Sequence, residues 1–275
     1  LRDQPGRVPA RPPRTAPFLA DRMPHREGRA AVLQPRSSQE RLVAPQIPAP
    51  AEPEFTLEAF VLLRPSGPAT GLRAIAQRGD PARPAWTLGV TGPNGPGRPH
   101  TLVLEYLRPD ATRTTVSSGL TLDPNKPYFV AVAVRWADPS EGGVTFHLKD
   151  VANDCEPAQV VGARHLGGPP LPGFPGLGLG GAAAEAWEGM LDDVRLTAAC
   201  MPASALQIAT EALPARCLGW WRLDPGPEAF RDASPAGHHL AEPAPPPGEI
   251  LDPRTQALAD LCHVLFNSSE FLYPD

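Results

Sequence analysis

Four acidic residues lie close enough in the sequence to suggest the paired carboxyl groups that glycoside hydrolysis requires. They are Glu185, Glu188, Asp192 and Asp193. Hydrolysis with retention of configuration needs two carboxyl groups about 5 to 5.5 Å apart. Enzymes that carry the pair on one strand space it as Glu-x-Asp-x-x-Glu, and these four residues do not have that spacing. We therefore assign no catalytic residue and predict a protein that is not an enzyme, with glycoside hydrolysis as the less favoured alternative.

Other catalytic motifs are missing from the sequence as well. It contains no Gly-x-Ser-x-Gly turn, which would expose a nucleophilic serine, and no His-Glu-x-x-His zinc motif. His238 and His239 are adjacent, so on a strand their side chains would point to opposite faces and could not ligate one metal ion. We interpret both histidines as turn residues.

Asp192 and Asp232 are the candidate ligands of a structural calcium ion. Calcium takes carboxylate and backbone carbonyl oxygens from loops, and Asp232 is followed by Ser234 and a glycine in a predicted turn. The alternative is that Asp232 accepts hydrogen bonds from its own turn. The sequence leaves both interpretations open.

The chain has four cysteines, Cys155, Cys200, Cys217 and Cys262. No Cys-x-x-Cys or Cys-x-x-Cys-His motif occurs, so the sequence predicts neither a zinc ribbon nor a covalently attached haem. Cys200 and Cys217 bracket a short segment between two predicted elements, which makes them the candidate disulfide. The alternative is that the cysteines are buried free thiols that pack as small hydrophobic side chains.

Aromatic side chains could provide a platform on which sugar rings stack. The five tryptophans are the candidates, although most are more simply explained as core residues. They are Trp86, Trp136, Trp187, Trp220 and Trp221.

The composition predicts a folded core with long loops and a basic N-terminal arm. The chain of 275 residues contains 38 prolines and 25 glycines, well above average, yet 41% of its residues are hydrophobic. Residues 1–30 are rich in arginine and proline and have too few apolar residues to fold alone. Only one aromatic residue of the Phe, Trp or Tyr type, Phe18, lies among these arginines, and proline is frequent, so we predict no nucleic-acid binding. No run of 18 apolar residues predicts a membrane span.

The alternation of apolar and polar residues predicts an all-β protein. Residues 189–196 alternate after a glycine-rich run, and residues 55–63 place Phe55, Leu57 and every second residue after them on one face. Further predicted strands follow at the spacing of a two-sheet sandwich, without helical patterns between them. We interpret residues 167–181, rich in glycine and proline, as a surface loop.

Two helices are predicted near the C-terminal end. Residues 202–212 begin with a proline, have apolar residues at helical spacing and precede Pro214. Asp252 and the proline after it form a helix start, and Leu258, Leu261 and Phe266 lie on one apolar stripe. We expect this stripe to pack on the sandwich or on another chain.

Five segments, in order, resemble the laminin-G-like, concanavalin-A-like jelly rolls of secreted bacterial proteins. Residues 55–61 resemble the family's Phe-Thr-x-Glu-Ala-Trp-Val strand, and residues 75–80 its Ile-x-x-Lys-Gly-Asp segment. Residues 86–90, 127–134 and 189–196 resemble the three following strands, the last with the pattern Gly-x-Ile-Asp-Glu-Val-Arg-Ile. The resemblance implies a two-sheet antiparallel jelly roll that binds ligands more often than it cleaves them. It also supports the calcium prediction, because related jelly rolls often carry a structural calcium.

The resemblance covers residues 31–240 and includes one departure from the family pattern. Elements that usually lie at the N-terminal end of such a domain lie here at its C-terminal end, at residues 217–240. This order indicates a permutation or a truncated second copy. Residues 241–251 form a proline linker, and residues 252–275 the C-terminal helix and tail. The tail, residues 258–273, is similar to the end of large secreted planctomycete proteins that often carry a cytochrome c module.

Together these observations predict a non-catalytic binding or assembly module of a larger extracytoplasmic complex, in the periplasm or at the cell surface. Its partners would be proteins of that complex, which the arginine-rich arm would contact. The alternative is a calcium-dependent carbohydrate-binding domain, similar to a lectin.

Overall fold

The computed structural model describes residues 20–33, 42–48, 54–64, 71–80, 83–93, 97–166, 175–181, 185–224, 226 and 228–241. All of them belong to one compact unit, residues 17–243. The strands of this part of the chain are β1 (Ala20–Asp21), β2 (Ala30–Leu33), β3 (Leu42–Ala44), β4 (Glu54–Leu63), β5 (Leu72–Arg78), β6 (Trp86–Thr91), β7 (Thr101–Leu107), β8 (Arg113–Thr121), β9 (Pro127–Arg135), β10 (Val144–Asp150), β11 (Gln159–Ala163), β12 (Leu177–Leu179), β13 (Gly189–Thr197) and β14 (Cys217–Trp221).

The described strands form two antiparallel sheets. The large sheet has eight strands in the order β1-β2-β13-β4-β9-β10-β11, with β14 also paired to β13. The small sheet has six strands in the order β3-β12-β5-β6-β7-β8. The prediction of an all-β, two-sheet antiparallel jelly-roll sandwich is confirmed.

The main hydrophobic core lies between the two sheets. Strand β4 contributes Phe55, Leu57, Ala59, Val61 and Leu63 to it, which confirms the predicted inward face. The other face of β4 carries apolar residues near its end, as an inner strand of a sheet does.

Strand β13 pairs with three other strands of the large sheet, β2, β4 and β14. It pairs with β4 along one edge. Along its other edge it pairs first with β2 and then with β14, which therefore meet end to end beside it. A bridge between Trp221 and Asp232 attaches the segment after β14 to the same sheet. The unusual closing elements at residues 217–240 thus complete the large sheet.

One strand lies where the sequence predicted a surface loop. Leu177 and Leu179 of β12 are fully buried, and β12 pairs with β3 on one side and β5 on the other. The prediction of a surface loop throughout residues 167–181 is therefore wrong. Glycine and proline on both sides of this short strand obscure its signal in the sequence. The segment forms a strand because it pairs with β3 and β5, which are distant in the sequence.

The helix predicted at residues 202–212 is wrong as well. The structure has only a short 3-10 helix, Ala203–Ala205. The amide of Gln207, which an α-helix would direct to the carbonyl of Ala203, instead donates to Glu58 Oε2 at 2.7 Å. A buried tertiary partner therefore overrides the local propensity.

Residues 20–30, which the sequence analysis placed in an extended arm, pack on the sandwich. Strand β1 pairs with β2, and Met23 is buried with 1% of its surface exposed. Residues 1–19 of the arm, residues 242–251 of the linker and the C-terminal segment 252–275 lie outside the described residues. No helix in the described part of the chain is long and apolar enough to cross a membrane.

Candidate functional site

The outer face of the small sheet carries a straight row of polar residues. Gln77 of β5 pairs with Thr87 of β6, Thr87 with Glu105 of β7, and Glu105 with Thr115 of β8. Side chains alternate between the two faces of a strand, so the row points away from the core that its neighbours occupy. Those neighbours are Leu88, Leu104 and Val116.

A second row lies beside the first, and two of its residues, Val103 and Ser117, line a cavity. The row consists of Ala74, Gly89, Val103 and Ser117. Gly89 has no side chain, and a Cβ added there would lie 2.3 Å from the backbone oxygen of Arg73. Only glycine fits this position without displacing backbone. The cavity has a volume of about 180 Å³.

The cavity is lined by backbone and apolar groups of three glycines, Leu72 and Val103, and by a smaller set of polar residues. Thr115 and Ser117 of β8 are exposed, and Glu105 is half-buried beside them. Thr115 Oγ1 donates to Glu105 Oε1 at 3.1 Å. Arg98, also exposed, lies at the other end of the cavity. Thr91 Oγ1 donates to the Arg98 carbonyl at 2.7 Å and so fixes this end of the wall.

An ion pair lies beside the cavity and is linked to it through Glu105. Arg113 Nη1 is 3.4 Å from Glu105 Oε2 and 3.5 Å from Glu185 Oε1. Glu185, from the segment between β12 and β13, also accepts a hydrogen bond from Gln77 Nε2 at 2.6 Å. We call the Glu185–Arg113 pair the bridge. Burial raises the pKa of Glu185, the charge of Arg113 lowers it and that of Glu105 raises it further.

This arrangement suits hydrogen bonding to a polyhydroxylated ligand. Hydroxyls donate and accept, the Glu105 carboxylate accepts, and the Arg98 guanidinium donates. None of the described residues that line the cavity is aromatic. Recognition there would depend on hydrogen bonds to hydroxyl groups and not on stacking against sugar rings.

The central strands of the large sheet are covered on their outer face by other parts of the chain. A second apolar cluster on this face includes Phe60 and Phe129. Met23, from the segment between β1 and β2, and Leu206, from the segment between β13 and β14, pack onto it. Residues 22–29 and 198–216 are the two covering segments.

A fully buried ion pair anchors the second covering segment. Glu58 and Arg195 lie on the outer face of β4 and β13, and both side chains are completely inaccessible. Arg195 Nη2 lies 2.7 Å from Glu58 Oε1 and donates to the Ala205 carbonyl at 3.0 Å. Arg195 Nη1 donates to the carbonyl of Ala212 at 3.3 Å. The pair therefore binds backbone groups of Ala205, Gln207 and Ala212.

Asp192, one of the two predicted calcium ligands, is ion-paired with the first covering segment. Arg26 Nε is 2.8 Å from Asp192 Oδ2, and Arg26 also pairs with Asp193. The Arg26 guanidinium lies 3.5 Å above the ring of Phe60. Burial and the charge of Asp193 raise the pKa of Asp192 to about 7, and burial also raises the pKa of Asp193.

Asp232, the other predicted calcium ligand, holds its own turn together. Its carboxylate accepts hydrogen bonds from the amides of Trp220, Ser234 and His238 at 2.8 to 2.9 Å. His239 Nδ1 accepts from the amide of Asp232 at 3.1 Å. The described residues contain no group of three or more His, Cys, Asp or Glu side chains that could hold a metal ion. The geometry therefore matches the turn interpretation, and calcium binding at Asp192 and Asp232 stays a prediction.

The four acids considered for hydrolysis are distributed among separate structural roles. Glu185 belongs to the bridge on the small sheet, and Glu188 Oε2 lies 2.8 Å from Arg73 Nη1. Asp192 and Asp193 both face Arg26.

The predicted disulfide between Cys200 and Cys217 is not formed in the structure. Both are free thiols, as is the exposed Cys155. Burial raises the pKa of Cys200, and it raises that of Cys217 to about 11. Cys262 lies outside the described residues.

The tryptophans lie mainly in the interior, as expected. Trp86, Trp136, Trp187 and Trp221 are at most 4% exposed. The half-buried Trp220 donates from Nε1 to Asp193 Oδ1 at 3.0 Å. No sugar-stacking platform is formed by these five side chains.

Apart from Glu185, the residues of the small-sheet face were not among the candidate site residues predicted from the sequence. A usable signal exists in the outward positions of the strands. Along β6, β7 and β8 they include Thr87, Thr91, Glu105, Thr115 and Ser117, whereas β4 and β9 carry phenylalanine and leucine outward. Polar outward positions predict an exposed face, and apolar ones a covered face.

Comparisons with known proteins support the fold. No protein-family model and no curated protein matches the chain. Among solved structures, a Bacteroides ovatus protein provisionally assigned as carbohydrate binding is similar, with 14% identity and a TM-score of 0.51. The match covers 78% of this chain and 56% of that one. The enzymatically active domain of bacteriophage CBA120 tailspike protein 2 is also similar, with 14% identity, a TM-score of 0.50 and coverage of 71% and 30%.

In both comparisons the chain spans less than two thirds of the solved structure. At this level of identity the similarity supports the shared fold and does not transfer an activity.

Proposed function

We propose that the chain is a non-catalytic binding module that holds a glycan on the outer face of its small sheet. The observation that carries this proposal is the cavity of about 180 Å³, lined by Glu105, Thr115 and Ser117. Hydroxyl and carboxylate groups on a rigid sheet can bind the hydroxyls of a sugar with little loss of conformational entropy on binding. The Bacteroides ovatus neighbour, provisionally assigned as carbohydrate binding, supports the ligand class.

The distribution of the acidic residues supports binding over catalysis. The two carboxylates nearest the cavity, Glu105 and Glu185, share one guanidinium, that of Arg113. The charge of Arg113 lowers the pKa of Glu185 against the larger raising effect of burial, and so opposes the protonated form that a general acid needs. Membership of a larger extracytoplasmic assembly and calcium dependence remain further parts of the proposal.

The proposal is tested by blocking the cavity. Ser117→Trp places a large ring over the cavity, and binding to an array of immobilised polysaccharides should fall by at least about tenfold. Val160→Trp is the matched control, because Val160 is 54% exposed on the large sheet. Equal binding by both variants, or no binding of any polysaccharide by the unmodified chain, would contradict the proposal.

A further inference from the structure

Two residues of the polar row are buried although they lie on the outer face of the small sheet. Gln77 and Thr87 are each 1% exposed. Their neighbours in the row, Glu105 and Thr115, are half-buried and exposed. The row therefore passes from the cavity to a covered end, where Glu185 lies over Gln77.

Polar atoms at the covered end lack partners. Among the described residues, Gln77 Oε1 and Thr87 Oγ1 are buried without a hydrogen-bond partner. Buried polar atoms of folded proteins are nearly always paired, so two neighbouring exceptions require an explanation. The two residues are directly opposite each other on β5 and β6.

Glu185, which contacts Gln77, does not satisfy the unpaired oxygen of that side chain. An ionised carboxylate only accepts hydrogen bonds, so Glu185 cannot donate one to Gln77 Oε1. A hydroxyl group can donate to Gln77 Oε1 and accept from Thr87 Oγ1. The chemistry of the covered end therefore matches a sugar hydroxyl better than it matches Glu185.

The ion pair of the bridge adds little to the cost of displacing Glu185, whose main contact is the hydrogen bond from Gln77. Arg113 lies 3.5 Å from Glu185 Oε1, and the Arg113 side chain is 42% exposed. Ion pairs of this length and exposure contribute little to stability. Burial raises the pKa of Glu185, which shows that the charged carboxylate would be better solvated outside this position.

We propose that the covered end is a second sugar subsite, which opens when a ligand hydroxyl displaces Glu185 and binds Gln77 and Thr87. This inference rests on the proposed function, because it extends the same cavity along the polar row. Glu185 and Arg113 would then act as a gate that restricts short ligands to the cavity and lets longer ones reach the second subsite.

Removal of the gate tests the inference through the dependence of affinity on ligand length. The probes are cello-, manno- and xylo-oligosaccharides from disaccharide to hexasaccharide, titrated by calorimetry. Glu185→Ala should bind the longer members of a recognised series more tightly, on the order of tenfold, and leave the shortest bound member unchanged. Arg113→Ala should produce a smaller gain in the same direction, and it keeps the test available if the first variant does not fold.

A second substitution tests whether Gln77 binds the longer ligands. Gln77→Leu, added to Glu185→Ala, should abolish the gain for long ligands. An unchanged length dependence in both gate variants would overturn the inference while leaving the proposed function intact. Failure of every form, including the unmodified chain, to bind any saccharide would overturn the proposed function together with the inference.

Discussion

The two outer faces of the sandwich differ in what covers them. On the large sheet, Met23 and Leu206 from two covering segments bury an apolar cluster, and the Glu58–Arg195 pair is fully inaccessible. On the small sheet, Thr115 and Ser117 remain exposed beside a cavity. The large-sheet face therefore serves stability, and the small-sheet face is available for a ligand.

This difference shows how one fold separates stability from binding. A sheet face can be apolar only if something covers it, because exposed apolar surface is costly in water. The chain covers one face with its own segments and leaves the other polar. Substitutions on the large-sheet face should therefore mainly lower stability, and substitutions on the small-sheet face should mainly weaken binding.

The largest expected effect is on the buried ion pair of the large sheet. Arg195→Leu leaves the Glu58 carboxylate buried without its partner, which should lower the free energy of unfolding by about 3 to 5 kcal/mol. Denaturation with urea measures the loss. The double variant Glu58→Leu with Arg195→Leu should recover much of it, because no uncompensated charge remains. If the single variant were as stable as the unmodified chain, the anchoring role of this pair would be refuted.

A comparable loss is expected where the first covering segment meets the apolar cluster. Met23 is 1% exposed, so Met23→Ala should cost about 2 to 5 kcal/mol through lost burial and a cavity. Thermal denaturation provides the measurement, and saccharide binding should stay unchanged below the melting transition. A variant that melts like the unmodified chain would show that residues 20–30 behave as the loose arm that the sequence predicted.

The burial of Asp192 next to Asp193 should make stability depend on pH. The pKa of Asp192 in the folded chain is about 7, against an ordinary value of 3.8, so folding takes up a proton between these values. The contribution of this proton uptake by Asp192 to the free energy of unfolding is fully present below pH 3.8 and is lost as the pH rises through 7. Between these pH values the free energy of unfolding should fall by at most about 1.4 kcal/mol per pH unit for one proton.

Asp192→Asn provides the control for this dependence, because the amide does not titrate. Urea denaturation from pH 4 to 8 should show a smaller decline for the variant than for the unmodified chain. The nearby Asp193 has the same direction of pKa shift, so part of the decline should remain. Identical pH profiles would refute the assignment to Asp192.

The smallest effect on stability is expected on the small-sheet face. The double variant Thr115→Ala with Ser117→Ala removes two exposed hydroxyls and should change the free energy of unfolding by no more than about 0.5 kcal/mol. Saccharide binding should nevertheless fall severalfold if these hydroxyls contact the ligand. A large loss of stability with unaltered binding would reverse the roles assigned to the two faces.

Strand patterns in the sequence were sufficient to predict the sandwich. Period-two alternation indicated strands β4 and β13, with the correct inward face for β4, and turn residues separated the strands between them. These signals are local, since each depends on residues within one element. The same reasoning failed for β12 and for the segment that follows β13, where the controlling partners lie far away in the sequence.

Only the tertiary structure decided which polar residues form a site. Gln77, Thr87, Glu105 and Thr115 come from four different strands, and the strand register alone aligns them in one row. The ion pair between Glu58 and Arg195 joins residues 137 positions apart. The sequence by itself therefore determined the sandwich, because alternation is a short-range property. The site required the folded chain, because register, burial and charge pairing are set by contacts between distant strands.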